Sequence, residues 1–82
     1  MHNVVLYTRV GCHLCDDARE LLVRHGLRPR LVDVDLDERL TAEHGNCVPV
    51  VEIDGRVRFR GRVNAVLLQR LLRGAKREST SN

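Results

Sequence analysis

A short apolar run, Val4-Val5-Leu6-Tyr7-Thr8, stops at Gly11 and passes with no linker into a segment of helical spacing. The run is too short for a helix and rich in β-branched residues, so it reads as a buried strand. From His13 to His25 the apolar positions Leu14, Ala18, Leu21 and Leu22 recur on one helical face. Asp16, Asp17 and Glu20 stand early, Arg24 and His25 late, and Gly26 follows as a stop, which matches the helix dipole at both ends. Arg30 to Leu36 reads as a second strand, carried by Leu31 or Val32 and by Val34. A strand, a crossover helix and a second strand in this order make the two strands parallel neighbours, and every later element has to be accommodated around that unit.

Asp37 caps a short helix that runs to about His44, and Gly45-Asn46 ends it. Val50-Val51-Glu52-Ile53 is a third strand and Arg56 to Arg60 a fourth, joined by Asp54-Gly55, the strongest two-residue hairpin signal in the chain. Val63, Val66, Leu67, Leu71 and Leu72 form the apolar stripe of a last helix that ends before Gly74. The expectation is an α/β fold of order βαβαββα, a four-stranded mixed sheet flanked by helices. Residues 1–74 form one domain and residues 75–82 a flexible C-terminal tail. At 82 residues there is room for a single core.

Composition narrows the function classes. Hydrophobic residues make up 43% and charged residues 30%, a globular balance, but Tyr7 and Phe59 are the only aromatics. The core is therefore built from Leu and Val, and there is no stacking platform for bases. The net charge of +3 is spread over arginines interleaved with carboxylates, with no dense polyanion site, so nucleic acid is not an expected partner. Arg56, Arg58 and Arg60 alternate with Val57 and Phe59 and are expected to share one face of an edge strand, as protection against strand association. No basic segment leads into a long apolar stretch near the N-terminus, and no apolar run has membrane-spanning length. The expectation is a monomeric cytoplasmic protein with no membrane partner. Three cysteines are an odd count and too few to staple a fold, so they point to chemistry or to metal.

Cys12-His13-Leu14-Cys15 lies at the junction of the first strand and the first helix. Two cysteines so spaced can close a disulfide with little backbone movement. The first sits among the unpaired N–H groups and the positive dipole end of the helix, which favour a thiolate. Cys12 is therefore the expected nucleophile, and Cys15, inside the first turn, the resolving thiol. The pair is also half of many zinc sites, and Cys47 with His13 or His44 would be needed to complete one, but a second Cys-x-x-Cys knuckle is absent from the sequence. No bound metal or cofactor is expected. The rival reading is a non-catalytic metal- or partner-binding domain. His2, His25 and His44 are isolated and read as solvated or capping residues.

The front segment Val4 to Cys15 and the later Cys47-Val48-Pro49-Val50-Val51-Glu52-Ile53-Asp54-Gly55, taken with the element order, resemble the glutaredoxin-like branch of the thioredoxin superfamily from about Val4 to Leu72. The resemblance implies a thiol-disulfide oxidoreductase that reduces disulfide-containing or glutathionylated proteins, with glutathione as a candidate co-substrate. It also implies that Pro49 is cis and faces the dithiol, and that the Val48 backbone is presented to an extended thiol substrate. Arg9 takes the place of a lysine that glutaredoxins often hold near the glutathione carboxylate, and is either such a substrate-binding residue or a solvated arginine. Cys47 stands at the threonine of the usual Thr-Val-Pro, as a candidate third thiol or a small half-buried residue. The Gly-Gly pair and acidic residue that receive the γ-glutamyl end are replaced by Gly61-Arg62 and Asn64, so glutathione should bind less well and a protein disulfide is the stronger candidate substrate.

Overall fold

The computed structural model describes residues 2–81, with side chains through residue 73. In chain order the elements are β1 (Val4–Thr8), α1 (His13–Arg24), β2 (Arg30–Asp33), a 3₁₀ turn (Val34–Leu36), α2 (Glu38–His44), β3 (Val50–Ile53), β4 (Arg56–Arg60) and α3 (Ala65–Ser81). The sheet order is β2-β1-β3-β4; β1 and β2 are parallel, and the other pairs are antiparallel. The expected α/β fold with its mixed four-stranded sheet is thus the one observed.

One face of the sheet carries the main core. Val4 and Leu6 from β1, Val51 and Ile53 from β3 and Phe59 from β4 pack against Ala18 and Leu22 of α1 and Leu68 of α3. The chain leaves α1 through paired bonds, Gly26 N–H to the Val23 carbonyl and Leu27 N–H to the Leu22 carbonyl, which satisfy carbonyls that the helix end leaves open. Leu27 then packs back on the core. The β3–β4 turn has Asp54 at φ 53° and Gly55 at φ 85°, the mirror-image turn whose twist matches the two strands it joins.

Four sequence expectations need correction. The second strand stops at Asp33 instead of Leu36, because the Asp33 carboxylate accepts the Asp35 N–H at 2.9 Å and turns the backbone into the 3₁₀ turn. The arginines of β4 do not share a face. Val51 pairs with Phe59 but Glu52 with Val57, so Arg58 is an extra, bulged residue; Arg56 lies on the Phe59 side and Arg60 on the Val57 side. The last helix continues past Gly74 to Ser81, since one glycine weakens a helix without ending it and good helix formers follow. The expected tail is therefore helical in backbone as far as it is described. Finally, His44 is buried, not solvated: it ends α2 and lies against Tyr7 across the second face of the sheet, ring centroids 4.6 Å apart. Its Nε2 lies 3.6 Å from the Glu43 carboxylate, so the ring packs on Tyr7 while keeping one polar edge toward an acid.

Candidate active site

The C-terminal end of β1 leads through a tight loop into α1, and both cysteines of the motif lie at that entry. Cys12 is the N-cap of α1, with φ −91° and ψ 108°, and its Sγ accepts the Cys15 N–H at 3.2 Å. Its own N–H donates to the Arg9 carbonyl at 3.2 Å. A side chain at this position answers one of the donors that every helix start leaves unpaired, and sulfur performs that role here in place of the usual oxygen. Cys12 is partly exposed, whereas Cys15, one turn inside, is only 2% exposed. All three cysteines are free thiols.

Burial pushes the Cys15 thiol above the ordinary range, and the hydrogen bond to Cys12 and its negative charge add to this. The Thr8 side chain and the Arg9 backbone pull in the opposite direction by bonding the sulfur. The two thiols are thus set apart by environment: an outer sulfur at a helix N-terminus and an inner one held back as the protonated thiol.

Because Tyr7 pairs with Val50, the start of β3 lies at the same end of the sheet as the end of β1, and the segment Cys47-Val48-Pro49 leads into it. The Val48–Pro49 peptide bond is cis. Cys47 N–H donates to the His44 carbonyl at 2.9 Å, which fixes the segment to the end of α2. Gly61 N–H is shared between the carbonyls of Cys47 at 3.0 Å and Pro49 at 2.7 Å, tying it to the turn after β4. Gly61 has φ 83°, a conformation that a side chain would strain, so glycine is required to aim that N–H. Among the described residues, the Val48 N–H and carbonyl make no hydrogen bond within the chain. Pro49 is fully buried, Val48 half-buried and Cys47 exposed, more open than the half-buried alternative expected for it.

Arg9 is engaged at both ends of its guanidinium. Nε and one terminal nitrogen donate to the two Asp35 oxygens, each at 2.9 Å, and the other terminal nitrogen donates to the Gly45 carbonyl at 2.9 Å. The ion pair draws the Asp35 carboxyl below its ordinary range and raises Arg9. Asn64 is likewise occupied: its Oδ1 accepts the N–H groups of Val66 at 2.9 Å and Leu67 at 3.1 Å, and so caps α3. Reading the sequence missed Asp35, Gly45 and the amide of Gly61. Asp35 and Gly45 meet the Arg9 side chain, and Gly61 the Cys47 carbonyl, only through tertiary folding, and no local pattern marks that. Among the described residues, no three His, Cys, Asp or Glu side chains converge to hold a metal ion, and no helix is long and apolar enough to cross a membrane.

A mixed sheet with a dithiol at the entry of its first helix and a cis-proline leading into its third strand, at the same end of the sheet, defines the thioredoxin-like class of α/β proteins. The chain matches the family described as glutaredoxin-like domain (DUF836) over residues 3–73, and it belongs to that family. Among solved structures, the X. campestris protein XcR50 is 33% identical with a TM-score of 0.75, the alignment covering 87% of this chain and 96% of that one. A glutaredoxin from Archaeoglobus fulgidus is similar at 23% identity and a TM-score of 0.64, over 89% and 88% of the two chains. The thioredoxin-like protein BC3987 gives 24% and 0.67, over 89% and 97%. These last two likenesses bear on the fold alone. No curated protein matches the sequence.

Proposed function

We propose that this protein is a thiol-disulfide oxidoreductase that reduces protein disulfides, or protein thiols blocked by glutathione, through Cys12, with Cys15 resolving. The observation that carries the reading is the unequal placement of the two thiols. Cys12 is partly exposed at the start of α1, while Cys15 is buried one turn behind it, with its N–H on the Cys12 sulfur at 3.2 Å. The Cys12 thiolate attacks one sulfur of the substrate disulfide; the S–S bond breaks, a Cys12–substrate disulfide forms, and the other half leaves as a thiolate that takes a proton from water. Cys15, on losing its proton, attacks the Cys12 sulfur and expels the second substrate thiolate, leaving a Cys12–Cys15 disulfide. Two electrons have then passed to the substrate.

The cycle closes when two thiols, for which glutathione is the candidate, reduce that disulfide and become a disulfide themselves. This requirement for re-reduction fits work in the cytoplasm. The unpaired N–H and carbonyl of Val48 suit a short strand-like pairing with an extended substrate beside the dithiol, with Pro49 shaping the turn. The test compares the wild-type protein with Cys12→Ser in the reduction of a glutathionylated protein, with glutathione as reductant. The expected result is turnover by the wild type and a fall to background in the variant. Undiminished turnover in Cys12→Ser contradicts the reading.

A further inference from the structure

Arg9 joins three parts of the site that are far apart in sequence. Its carbonyl accepts the Cys12 N–H, and its backbone also bonds the Cys15 sulfur. Its guanidinium spans the Asp35 carboxylate and the Gly45 carbonyl with three bonds of 2.9 Å. Gly45 follows directly on His44, whose carbonyl holds the Cys47 N–H. The contact is close: a Cβ on Gly45 would lie 2.5 Å from the Thr41 carbonyl oxygen and 3.2 Å from the Arg9 guanidinium. The path from the dithiol to the Val48 segment therefore runs through one side chain, whose planar fork makes directed bonds that an ammonium cannot reproduce.

We propose that Arg9 and Asp35 form a clamp that sets the position of the Cys47-Val48-Pro49 segment relative to the dithiol, which makes Arg9 a positioning residue for extended disulfide substrates and not a ligand for a substrate carboxylate. The inference rests on the oxidoreductase reading. Asp35 already places a carboxylate on the guanidinium, so an incoming carboxylate has to compete with one held at two points. The clamp acts on substrates that lie along Val48, and much less on a small disulfide that touches only the sulfurs.

The test uses two substrates: a small dialkyl disulfide, and an extended, C-terminally amidated peptide disulfide with no acidic residue. For Arg9→Gln and for Asp35→Asn, KM for the peptide is expected to rise at least about three-fold more than KM for the small disulfide. The double variant is expected to be no worse than the worse single one, because the two residues act as a unit. Arg9→Lys, which keeps the charge but loses the fork, is expected not to restore KM. Restoration by lysine, or an unchanged or lowered KM for the peptide in Arg9→Gln or Asp35→Asn, overturns the proposal. Hydrogen exchange gives a second readout independent of turnover: the hydrogen-bonded amides of Gly45 and Cys47 are expected to exchange faster in both single variants, and unchanged protection there also overturns the clamp. If the wild type reduces neither substrate, the oxidoreductase reading fails, and exchange alone decides on the clamp.

Discussion

The Cys15 sulfur shows how one buried atom divides the work of a dithiol. Its thiol is pushed up by burial and by its neighbour Cys12, so the second step of the reaction should depend on pH more steeply than the first. With a disulfide substrate in excess, a Cys12-linked adduct is expected to accumulate at mildly acidic pH and to resolve faster as pH rises, which acid quenching and mass spectrometry measure. Stability follows the same linkage. The folded state holds the Cys15 proton after the unfolded state has released it, so the reduced protein should lose stability as pH rises above the ordinary thiol range, while the Cys12–Cys15 disulfide form should lack this slope. Urea unfolding of both forms from neutral to alkaline pH checks this. The two cysteines were legible in the sequence because spacing and a strand-to-helix junction are local signals. Asp35 was not: the reading placed it inside a strand, and its partner Arg9 lies on another element.

Short elements here are bounded by single side chains, and those boundaries determine what reaches the site. Asp33 turns the chain out of β2 and so delivers Asp35 to Arg9. Asp37 caps α2 by accepting the Arg39 N–H at 2.8 Å, and Asp37→Ala should cost about 1 kcal/mol. Gly45 is required for lack of space, not for an unusual φ, so Gly45→Ala should cost about 1–3 kcal/mol through forced displacement of α2 or of Arg9. Both are read from the midpoint of urea unfolding at unchanged slope. The cap at Asp37 was legible, since residue type and a following helix suffice to predict it. The bulge at Arg58 was not, because simple alternation in Arg56 to Arg60 gives no sign that a residue is skipped.

At the level of the molecule, one sheet face packed by α1 and α3 supports the dithiol, and little else is available to hold it. Leu22 is fully buried in that layer, so Leu22→Ala should cost about 2–5 kcal/mol. In a domain this small that corresponds to a fall in Tm of about 4–8 °C per kcal/mol, measurable by calorimetry. Element order and sheet composition were legible because the crossover and the Asp54-Gly55 hairpin dictate which strands run parallel. The second face was not: a buried histidine packed against Tyr7 has no signature in hydrophobic periodicity. The central claim is that this fold presents Cys12 as its attacking thiol. The most direct test is to react Cys15→Ser, which lacks the resolving thiol, with a glutathionylated peptide and to map the trapped mixed disulfide by mass spectrometry. A single adduct on Cys12 is predicted; an adduct on the exposed Cys47 instead, or none, contradicts the account.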